Sequence, residues 1–400
     1  MRIVFPTTEF VTENNYCGGL SNYLHKLAKK LKDDGHDVHI VVASDREETA
    51  DCDGFTVHRV SVHTFCYRIV NRMRRANIIG SSVVSLVYTR LSTAWRINKR
   101  IKRINAAKKI DLIQYPSLAA LALFRPKNIK ALVRISNSTY LWKTAQGIYS
   151  FTYRVDYFME KLAMKGLSTI IAPSSLLAAE FEKTLHKKVA VVPTFFEKKS
   201  APTDHARVYR CSLKNKKYFL FAGQLSPHKG IDAIAEALED IFKLDDDLFF
   251  AFAGMNHKFH NTKMMDTVRR KAGPYAGRVM YLGVLPHEEL FPVVEHAIAV
   301  VLPSRVDNIP NMCLEAMSLK KIVVGTRGAS FDEIIQDGLN GFLIDRDDPK
   351  QLFEKLKKVV SMSEDEKVLM GERAYDAIDS KFGENAYTAL LDVYREILAR

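Results

Sequence analysis

Short apolar runs alternate with segments of helical periodicity along most of the chain. The first cycle shows the pattern: the run MRIVF is followed by a polar loop, by leucines at helical spacing over residues 20–31, and by a second run, DVHIVVAS. Such runs indicate buried strands, and apolar positions that repeat at helical spacing indicate amphipathic helices. Strands that alternate with helices are typical of βαβ units around a parallel sheet. The pattern therefore predicts an α/β fold.

Two series of such units are predicted. In the first half of the chain, further strands are expected at DLIQY, ALVRIS, TIIAPS and VAVVP. In the second half, strands are expected at YFLFAG, DLFFAFAG, VMYLG, AIAVVLPS and KIVVGT. Residues 197–216 between the halves are polar and basic and lack periodicity, which favours an interdomain linker. We predict domains at 1–196 and 217–383, and we expect the last helix, 384–400, to pack back on the first domain.

Length and cysteine usage agree with this division. A chain of 400 residues is too long for one ordinary core and suits two α/β domains. Five cysteines, an odd number without close pairs, favour neither a disulfide framework nor a zinc cage. The N-terminus begins with a strand pattern, and no stretch of membrane-spanning length is apparent. We expect a cytoplasmic protein without a signal peptide or transmembrane helix.

The positive charge is concentrated in one segment. Residues 59–110 hold thirteen Lys or Arg and no Asp or Glu, an excess equal to the net charge of +13 for the whole chain. Apolar residues such as Ile69, Met73 and Ile79 interleave with the arginines, as in an interfacial helix. A solvated basic face and a peripheral contact with an anionic membrane or acceptor are equally favoured. Nucleic acid ranks third, because no recognised binding motif accompanies the charge.

Ligands of open parallel sheets bind outside the carboxyl ends of the strands, so loops that follow strands are the place to look for chemistry. In NNYCGGLSNYL, Gly18 and Gly19 stand where a loop enters a helix, and glycines there let backbone amides approach a phosphate or a sugar. Glycines that merely turn the chain explain this loop equally well. In FAGQLSPHKGIDAI, Lys229 lies beside a predicted helix start, where a cation and aligned amides can neutralise a diphosphate.

A third loop carries two carboxylates. In LPSRVDNIPNMCLEAMSL, Asp307 opens a turn, Pro310 suits the first helical position, and Glu315 falls in the second turn. The two acids flank one helix start, which suits hydrogen bonds to the hydroxyls of a sugar and a ribose. Taken alone, this segment is explained better as a capped surface helix with ordinary acidic residues.

Together these segments resemble the retaining glycosyltransferases of family 4. The resemblance includes GGLSNYLHKLAKKLKDDGHDVHIVV, FAGQLSPHKGIDAIAEAL and DNIPNMCLEAMSLKKIVVGTRGASFDEII, covers nearly the whole chain and is strongest in the second half. It implies the GT-B architecture, in which two Rossmann-like domains face a central cleft. It also implies a nucleoside-diphosphate sugar donor, bound mainly by the second domain, and an acceptor bound mainly by residues before Glu197.

The resemblance also implies roles for individual residues. The family's paired acids stand eight positions apart, and Asp307 and Glu315 keep that spacing, with Asp in place of the usual first Glu. Glu315 is expected to hold the ribose hydroxyls, Asp307 to contact the transferred sugar and Lys229 to bind the diphosphate, and these three are the predicted catalytic residues. Backbone amides of residues 308–311 are expected to line the sugar. The predicted donor site also includes Gly18, Gly19, Gly223, Gln224, Gly254, Leu285, Asn308, Ile309, Pro310, Asn311 and Met312.

The sequence departs from the family at two places. Gln224 stands where the family usually has Arg, and Ser136 with Asn137 stand where it commonly has a His that touches the sugar. Arg134, Ser136 and Asn137 are therefore predicted on the sugar or acceptor side. Arg134 and Arg327 are candidates for the missing diphosphate cation, although a structural ion pair is the expected role of each.

No metal site is predicted. Asp-x-Asp triplets occur at 51–53, 245–247 and 345–347, but so short a pattern arises readily by chance in loops. The twelve histidines lack metal-ligand spacing, and His228 and His287 are interpreted as ordinary loop residues. We expect a metal-independent enzyme without a cofactor, because the nucleotide sugar is a substrate.

The resemblance implies a retaining hexosyltransferase of polysaccharide biosynthesis. Its donor is expected to be a UDP-sugar, with a GDP-sugar as the second choice, and its acceptor a glycan, a lipid-linked sugar or another anionic molecule. Lys229 would stabilise the departing diphosphate, because a fixed cation needs no reorganisation during the reaction. Two alternatives stay open: a sugar-nucleotide epimerase of the same architecture, and a non-catalytic partner protein that binds the nucleotide sugar.

Overall fold

The computed structural model divides the chain into two compact units, Met1–Phe196 with Glu384–Arg400 (unit 1) and Glu197–Gly383 (unit 2). The residues that it describes are 1–13, 19–62, 72, 80–136, 149–197, 206–256, 258–259 and 262–400. Gly18 and Asn137 of the predicted site lie outside these ranges. So do residues 63–71 and 73–79 of the basic segment.

Unit 1 alternates strands with helices. Its strands are β1 (Arg2–Thr7), β2 (Asp37–Ser44), β3 (Glu48–Cys52), β4 (Phe55–Ser61), β5 (Leu112–Pro116), β6 (Lys130–Arg134), β7 (Thr169–Ala172) and β8 (Ala190–Val191). Its first helices are α1 (Gly19–Asp33), α2 (Ser81–Ala107), α3 (Phe151–Lys165) and α4 (Ser175–Leu185). A short helical turn, Leu118–Phe124, follows β5.

These strands form one sheet in the order β3-β4-β2-β1-β5-β6-β7-β8, parallel except for the β3–β4 hairpin. β1 is central, and both of its faces are covered, so Ile3, Val4 and Phe5 are all buried. This is why the strand is a continuous apolar run. α1 covers one face of the sheet, while α2, α3 and α4 cover the other. From β4 to β7 the order is the Rossmann order, 3-2-1-4-5-6.

Unit 2 repeats this plan. Its sheet contains β9 (Lys217–Ala222), β10 (Leu248–Ala253), β13 (Val279–Gly283), β14 (Ala299–Leu302), β15 (Ile322–Thr326) and β16 (Phe342–Ile344), and a separate hairpin contains β11 (Lys258–Phe259) and β12 (Thr262–Lys263). Its helices are α5 (Ile231–Phe242), α6 (Met264–Lys271), α7 (His287–Glu295), α8 (Asn311–Ser318), α9 (Pro349–Ser361) and α10 (Glu364–Phe382).

The main sheet of unit 2 is parallel throughout, in the order β13-β10-β9-β14-β15-β16, which is again the Rossmann order. Aromatic side chains of β9 and β10, among them Phe219 and Phe250, fill its core with Leu238 of α5. Two sheets of this kind confirm the predicted α/β fold class. The sequence pattern does not predict β3, β4, β11, β12 or β16, and the run VAVVP contributes only the two residues of β8.

Part of the predicted linker packs on unit 2. Residues Tyr209–Leu213 form a helical turn, and the ring of Tyr209 stacks on His296 with centroids 3.9 Å apart. Just before this turn, the backbone N–H of Val208 donates to Glu289 Oε2 of α7 at 2.9 Å. These contacts hold residues 208–213 against α7.

The last helix, α11 (Glu384–Ala399), belongs to unit 1. Leu390 and Ile397 join the apolar core on the α1 face of the sheet. The buried hydroxyl of Tyr394 donates to Gln114 Oε1 of β5 at 2.7 Å, so α11 is also tied to the sheet by a hydrogen bond. Among the described residues, no helix combines the length and apolarity that crossing a membrane requires.

Buried charge joins α2 to α3. Arg90 donates through Nε and Nη2 to the two carboxylate oxygens of Asp156, at 2.8 Å each. Glu160, one turn further along α3, is buried and accepts a hydrogen bond from the backbone N–H of Ala119 at 3.3 Å. Burial, together with the neighbouring charge of Asp156, raises the pKa of Glu160 to about 8. Glu160 is therefore mostly protonated in the folded protein at neutral pH.

This raised pKa makes the folded protein less stable as the pH rises. Between the ordinary pKa of 4.5 and the raised value of about 8, the folded chain keeps the Glu160 proton while the unfolded chain releases it. The free energy of unfolding should fall by about 1 kcal/mol per pH unit in this window. Glu160→Gln should remove that slope, because an amide cannot titrate. Urea denaturation of both proteins across the window measures the difference, and parallel pH profiles would contradict it.

Candidate functional site

The strand order of unit 2 determines where its polar loops meet. β9 and β14 are neighbours, but the chain leaves β9 towards β10 on one side and β14 towards β15 on the other. The connections diverge at the carboxyl ends of these strands and leave a crevice, which is where sheets of this kind bind ligands. Residues 223–230 and 303–310 border the crevice. They belong to two of the loops selected from the sequence.

Arg305 joins the two loops. Its backbone N–H donates to the carbonyl oxygen of His228 at 2.9 Å, and its Nη1 donates to the carbonyl oxygen of Pro227 at 2.6 Å. Its Nη2 pairs with Asp232 in α5, and its Nε donates to Asp347 Oδ1 at 2.6 Å. One side chain thus connects both loops with the first turn of α5. The sequence does not single out Arg305, because the partners of its side chain lie 42 to 78 positions away.

Two glycines allow close backbone approach at this edge of the sheet. Gly230 has a φ of 71°, and a Cβ at this position would clash with the carbonyl oxygen of Pro303. Gly254 has a φ of 132°, and a Cβ there would clash with the carbonyl oxygen of Gly223. Both positions therefore require glycine for conformation and for space. The structure places the predicted Gly223 and Gly254 side by side through this backbone contact.

Lys229 and Asp307 form an ion pair across the crevice. Lys229 Nζ donates to Asp307 Oδ2 at 2.5 Å, and 20% and 13% of the two side chains are exposed. The other oxygen, Oδ1, accepts from the backbone N–H of Asn308 at 3.1 Å. The sequence predicts one site for these two residues, with a different part of the donor bound by each, whereas the structure pairs them with each other. An anion that enters the crevice meets a fixed ammonium, whose carboxylate partner it must share or replace.

The helix after the second loop begins one residue later than the sequence indicates. Pro310 precedes α8 with a ψ of 132°, and Asn311 is the first helical residue. Ile309 has a left-handed φ of 49°, which is strained for a β-branched residue and is typical of functional loops. Since Pro310 has no N–H, it cannot contribute to the amide lining expected over residues 308–311. The backbone N–H of Cys313 donates to the carbonyl oxygen of Pro310 at 2.9 Å, so the amides of Asn311 and Met312, which precede this bond, can face a ligand.

Glu315 lies on the buried side of α8. Its Oε1 is 3.6 Å from Nε2 of His287, and both side chains have further interactions. His287 is the first residue of α7 rather than a loop residue, which corrects the expectation. Leu285, two positions earlier, is half-buried. A carboxylate and an imidazole therefore meet near the start of α7.

One of the two candidates for the missing diphosphate cation, Arg327, is held in structural ion pairs. Arg327 pairs with Asp337 at 2.7 Å and with Asp345 at 3.3 Å, a structural role that the sequence analysis expected. Gln224, at the position of the missing arginine, is half-buried at the start of the first loop, and its carbonyl oxygen accepts from Ser226 Oγ at 3.3 Å. The lysine and arginine side chains on the two crevice loops are thus Lys229 and Arg305.

In unit 1, Arg134 and Ser136 lie at the carboxyl end of β6. The buried guanidinium of Arg134 lies 4.0 Å from the ring centroid of Tyr23 and donates to Thr194 Oγ1 at 2.8 Å and to Ser136 Oγ at 3.4 Å. Within the described part of the chain, Arg134 forms no ion pair with a carboxylate, unlike Arg327. Arg134 and Ser136 also line a small cavity with Gln114. Polar groups therefore gather at this edge of the unit 1 sheet too.

The acidic triplets are engaged in structural contacts. Asp245 pairs with Lys217, Asp345 with Arg327 and Asp347 with Arg305. In the first triplet, Asp51 Oδ1 accepts from the backbone N–H of Gly54 in the β3–β4 turn at 3.1 Å. These four acids therefore have structural partners, whereas Asp53 of the first triplet belongs to the group described next.

A group of possible metal ligands lies in unit 1, on α1 and the β3–β4 hairpin. The ligand atoms of His25, Cys52 and Asp53 lie within 4.8 Å of one another, and His25 Nε2 is 2.7 Å from Asp53 Oδ2. The sequence does not single out this group, because its members come together only in the fold. Gly19, the described member of the predicted glycine pair, is the exposed first residue of α1.

Arg305 should stabilise unit 2 measurably. Arg305→Gln removes two ion pairs and a hydrogen bond to a backbone carbonyl, and we expect the free energy of unfolding to fall by about 2 kcal/mol. Arg327→Gln is the matched control, because its ion pairs are more exposed and should contribute less than about 1 kcal/mol. Urea denaturation of both variants measures this difference. Equal losses for the two variants would contradict a special role for Arg305.

Comparisons with known proteins agree over both halves of the chain. Residues 17–198 match Glycosyltransferase Family 4, and residues 210–377 match Glycosyl transferases group 1. An uncharacterized glycosyltransferase of Methanocaldococcus jannaschii is 23% identical over 407 residues, 99% of each chain.

Solved structures share the fold. Sucrose-phosphate synthase from Thermosynechococcus elongatus superposes with a TM-score of 0.77 at 16% identity, over 100% of this chain and 99% of that one. HepE of Anabaena, solved in complex with UDP and glucose, superposes with a TM-score of 0.67 at 16% identity, over 99% of this chain and 100% of that one. With two Rossmann sheets and family matches in both halves, the chain belongs to the family 4, group 1 glycosyltransferases and has the GT-B fold.

Proposed function

We propose that the protein is a retaining hexosyltransferase that binds a nucleoside-diphosphate sugar at the crevice between residues 223–230 and 303–310. The observation that carries this proposal is the ammonium of Lys229, held beside Asp307 close to the loop that leads into α8. A diphosphate needs cations and N–H donors, and a lysine near a helix start supplies both. The nucleotide sugar is a substrate, and no other cofactor enters the proposal.

Three side chains suit three parts of this donor. Lys229 would face the diphosphate, and Asp307 would accept hydrogen bonds from hydroxyls of the transferred sugar. Glu315, buried beside His287, would accept hydrogen bonds from the ribose. Because Lys229 and Asp307 are in contact, the donor's phosphate and sugar should meet near their ion pair.

The reaction breaks the bond between the anomeric carbon of the sugar and a phosphate oxygen. Negative charge grows on that oxygen, so Lys229 and the amides at the start of α8 stabilise the transition state more than the bound donor. The acceptor hydroxyl attacks on the face from which the diphosphate leaves, and the departing phosphate takes its proton. This route retains the anomeric configuration and needs no side-chain nucleophile.

A UDP-sugar is the favoured donor, and a GDP-sugar is the second choice. The shared fold of HepE, which was solved with UDP and glucose, supports this preference. A thermal-shift panel of nucleotide sugars tests it, because a ligand that binds only the folded state raises the melting temperature.

The acceptor is proposed to be a glycan, a lipid-linked sugar or another anionic molecule used in polysaccharide biosynthesis. The basic segment 59–110 supports this choice, since α2 within it carries several cations and no acidic residue. Arg134 and Ser136 lie at the carboxyl edge of the unit 1 sheet and suit the sugar or acceptor side. We place the enzyme in the cytoplasm, in peripheral contact with an anionic membrane.

Two other functions have direct tests. An epimerase of the same architecture would interconvert the donor sugar when no acceptor is present. A non-catalytic partner protein would bind the nucleotide sugar without transferring it. This alternative is considered because Gln224 and Ser136 stand at positions where the family has Arg and His. Product analysis with and without an acceptor separates the three functions.

Substitutions at Lys229, Asp307 and Glu315 should affect kcat and nucleotide affinity in different ways. Lys229→Ala should lower kcat by about 100-fold or more, beyond its effect on donor affinity, because its charge matters most in the transition state. Glu315→Gln should weaken the free nucleoside diphosphate about tenfold, since the ribose is common to donor and product. Asp307→Asn should lower transfer but leave nucleoside diphosphate affinity nearly unchanged. Steady-state kinetics and calorimetry measure these effects.

Lys217→Ala is the matched control for these substitutions, because Lys217 pairs with Asp245 at the exposed start of β9. It should leave both kinetics and nucleotide affinity unchanged. Folded, fully active variants at all three site positions would show that the donor binds elsewhere.

Activity should be independent of metal ions, because the site offers an ammonium and amides to the diphosphate. We expect EDTA to leave transfer unchanged. Cys52→Ser, which removes one possible ligand from the group in unit 1, should behave like the wild type in this assay. A loss of transfer on EDTA treatment that Mn²⁺ restores would overturn metal independence.

A further inference from the structure

The outer surface of α2 exposes apolar side chains along one line. Val84, Leu91 and Trp95 are 55%, 38% and 49% exposed. Their spacing of seven and then four residues places them on one face of a helix. α2 buries other residues, including Ile97 and Ile101, against the sheet. The helix is therefore apolar both towards the core and towards solvent.

The neighbouring helix α3 shows the same spacing. Phe151, Phe158 and Leu162 are 69%, 62% and 51% exposed. α2 and α3 cover the same face of the unit 1 sheet and are joined by the Arg90–Asp156 pair, so their outward faces both turn away from that sheet. Single exposed apolar residues are ordinary, but two matched lines on adjacent helices indicate an interaction surface.

The charged side chains that α2 and α3 expose on this surface are cationic. Residues 55–179 contain three acidic residues, Asp111, Asp156 and Glu160. Asp156 and Glu160 are buried, and Asp111, just before β5, accepts a hydrogen bond from the backbone N–H of Arg2 at 2.7 Å. The exposed faces of α2 and α3 therefore combine apolar side chains with cations alone.

A cationic cavity lies beside Trp95. It has a volume of about 220 Å³ and is lined by Trp95, by the cations Arg96, Lys99, Arg100 and Arg103, and by the acid Glu47. Lys99 Nζ lies 4.8 Å from the ring centroid of Trp95, and Arg96 is held by a hydrogen bond to the carbonyl oxygen of Ser61 at 3.1 Å. The cavity is several times the volume of a water molecule, ~30 Å³. Four cations against one acid suit a phosphate group.

We propose that α2 and α3 form a surface that docks on an anionic lipid bilayer, with lipid phosphates at the α2 cavity and the apolar lines at the boundary of the acyl chains. Interfacial helices combine three features: cations close to an anionic bilayer, tryptophan at the interface of the bilayer, and an apolar face in contact with its acyl chains. A nucleic acid would account for the cations but not for Phe158 and Leu162. This inference rests on the proposed membrane contact of the basic segment and adds α3, which lies outside that segment.

Trp95 and Trp142 are the two tryptophans of the chain, so Trp142→Phe makes Trp95 the single reporter. In low salt, the protein should co-sediment with phosphatidylglycerol vesicles, and its Trp95 emission should shift to shorter wavelength. Phosphatidylcholine vesicles should produce neither effect. Arg96→Gln, Lys99→Gln and Arg103→Gln together should weaken binding roughly 100-fold. Phe158→Ser with Leu162→Ser should weaken it at least tenfold.

Two variants of unit 2 are the matched controls. Val368→Ser with Leu369→Ser removes apolar residues that are equally exposed, and Lys350→Gln, Lys357→Gln and Arg373→Gln together remove three exposed cations. Both should bind vesicles like the wild type. If the wild type does not bind phosphatidylglycerol vesicles, the membrane contact itself is wrong. If it binds but the α3 variant binds equally well and Trp95 emission does not shift, the two-helix surface is wrong while the electrostatic contact stands.

Discussion

The reversal of strand order between β9 and β14 is the constraint on which the candidate site depends. Neighbouring parallel strands whose connections run to opposite sides leave their carboxyl ends uncovered. The two loops at these ends must satisfy their own polar groups, and Arg305 does this for the backbone of Pro227 and His228. Gly230 permits the close approach that these hydrogen bonds require. The crevice is therefore a consequence of topology, and the loop sequences determine what it can bind.

The two cationic side chains on these loops, Arg305 and Lys229, have different roles. Arg305 is occupied by two carboxylates and a backbone carbonyl, so a ligand could recruit it only by breaking the contacts that hold the loops together. Lys229 has Asp307 as its ion-pair partner, and an entering phosphate can compete with one carboxylate. This division explains how one site can be rigid and still offer a charge to a ligand. The site therefore still offers Lys229 to a diphosphate, although Gln224 stands where the family usually has a second cation, an arginine.

Much of the fold could be predicted because strands buried on both faces are short apolar runs, as in YFLFAG and KIVVGT. The β3–β4 hairpin was missed because β3 is an exposed edge strand, although its turn residues Asp53 and Gly54 are a typical hairpin signal. The loops that carry Lys229 and Asp307 could be selected from their positions after strands. Their ion pair could not, because 78 positions separate them and only the folded sheet brings them together.

The proposed function requires the donor's diphosphate to bind at the β9–β14 crevice and to contact Lys229. A crystal structure of the full chain with UDP tests it most directly. We expect diphosphate oxygens within hydrogen-bond distance of Lys229 Nζ and of the first amides of α8, ribose hydroxyls hydrogen-bonded to Glu315, and a longer separation between Lys229 and Asp307. A nucleotide bound elsewhere, with the Lys229–Asp307 ion pair unchanged at 2.5 Å, would contradict it.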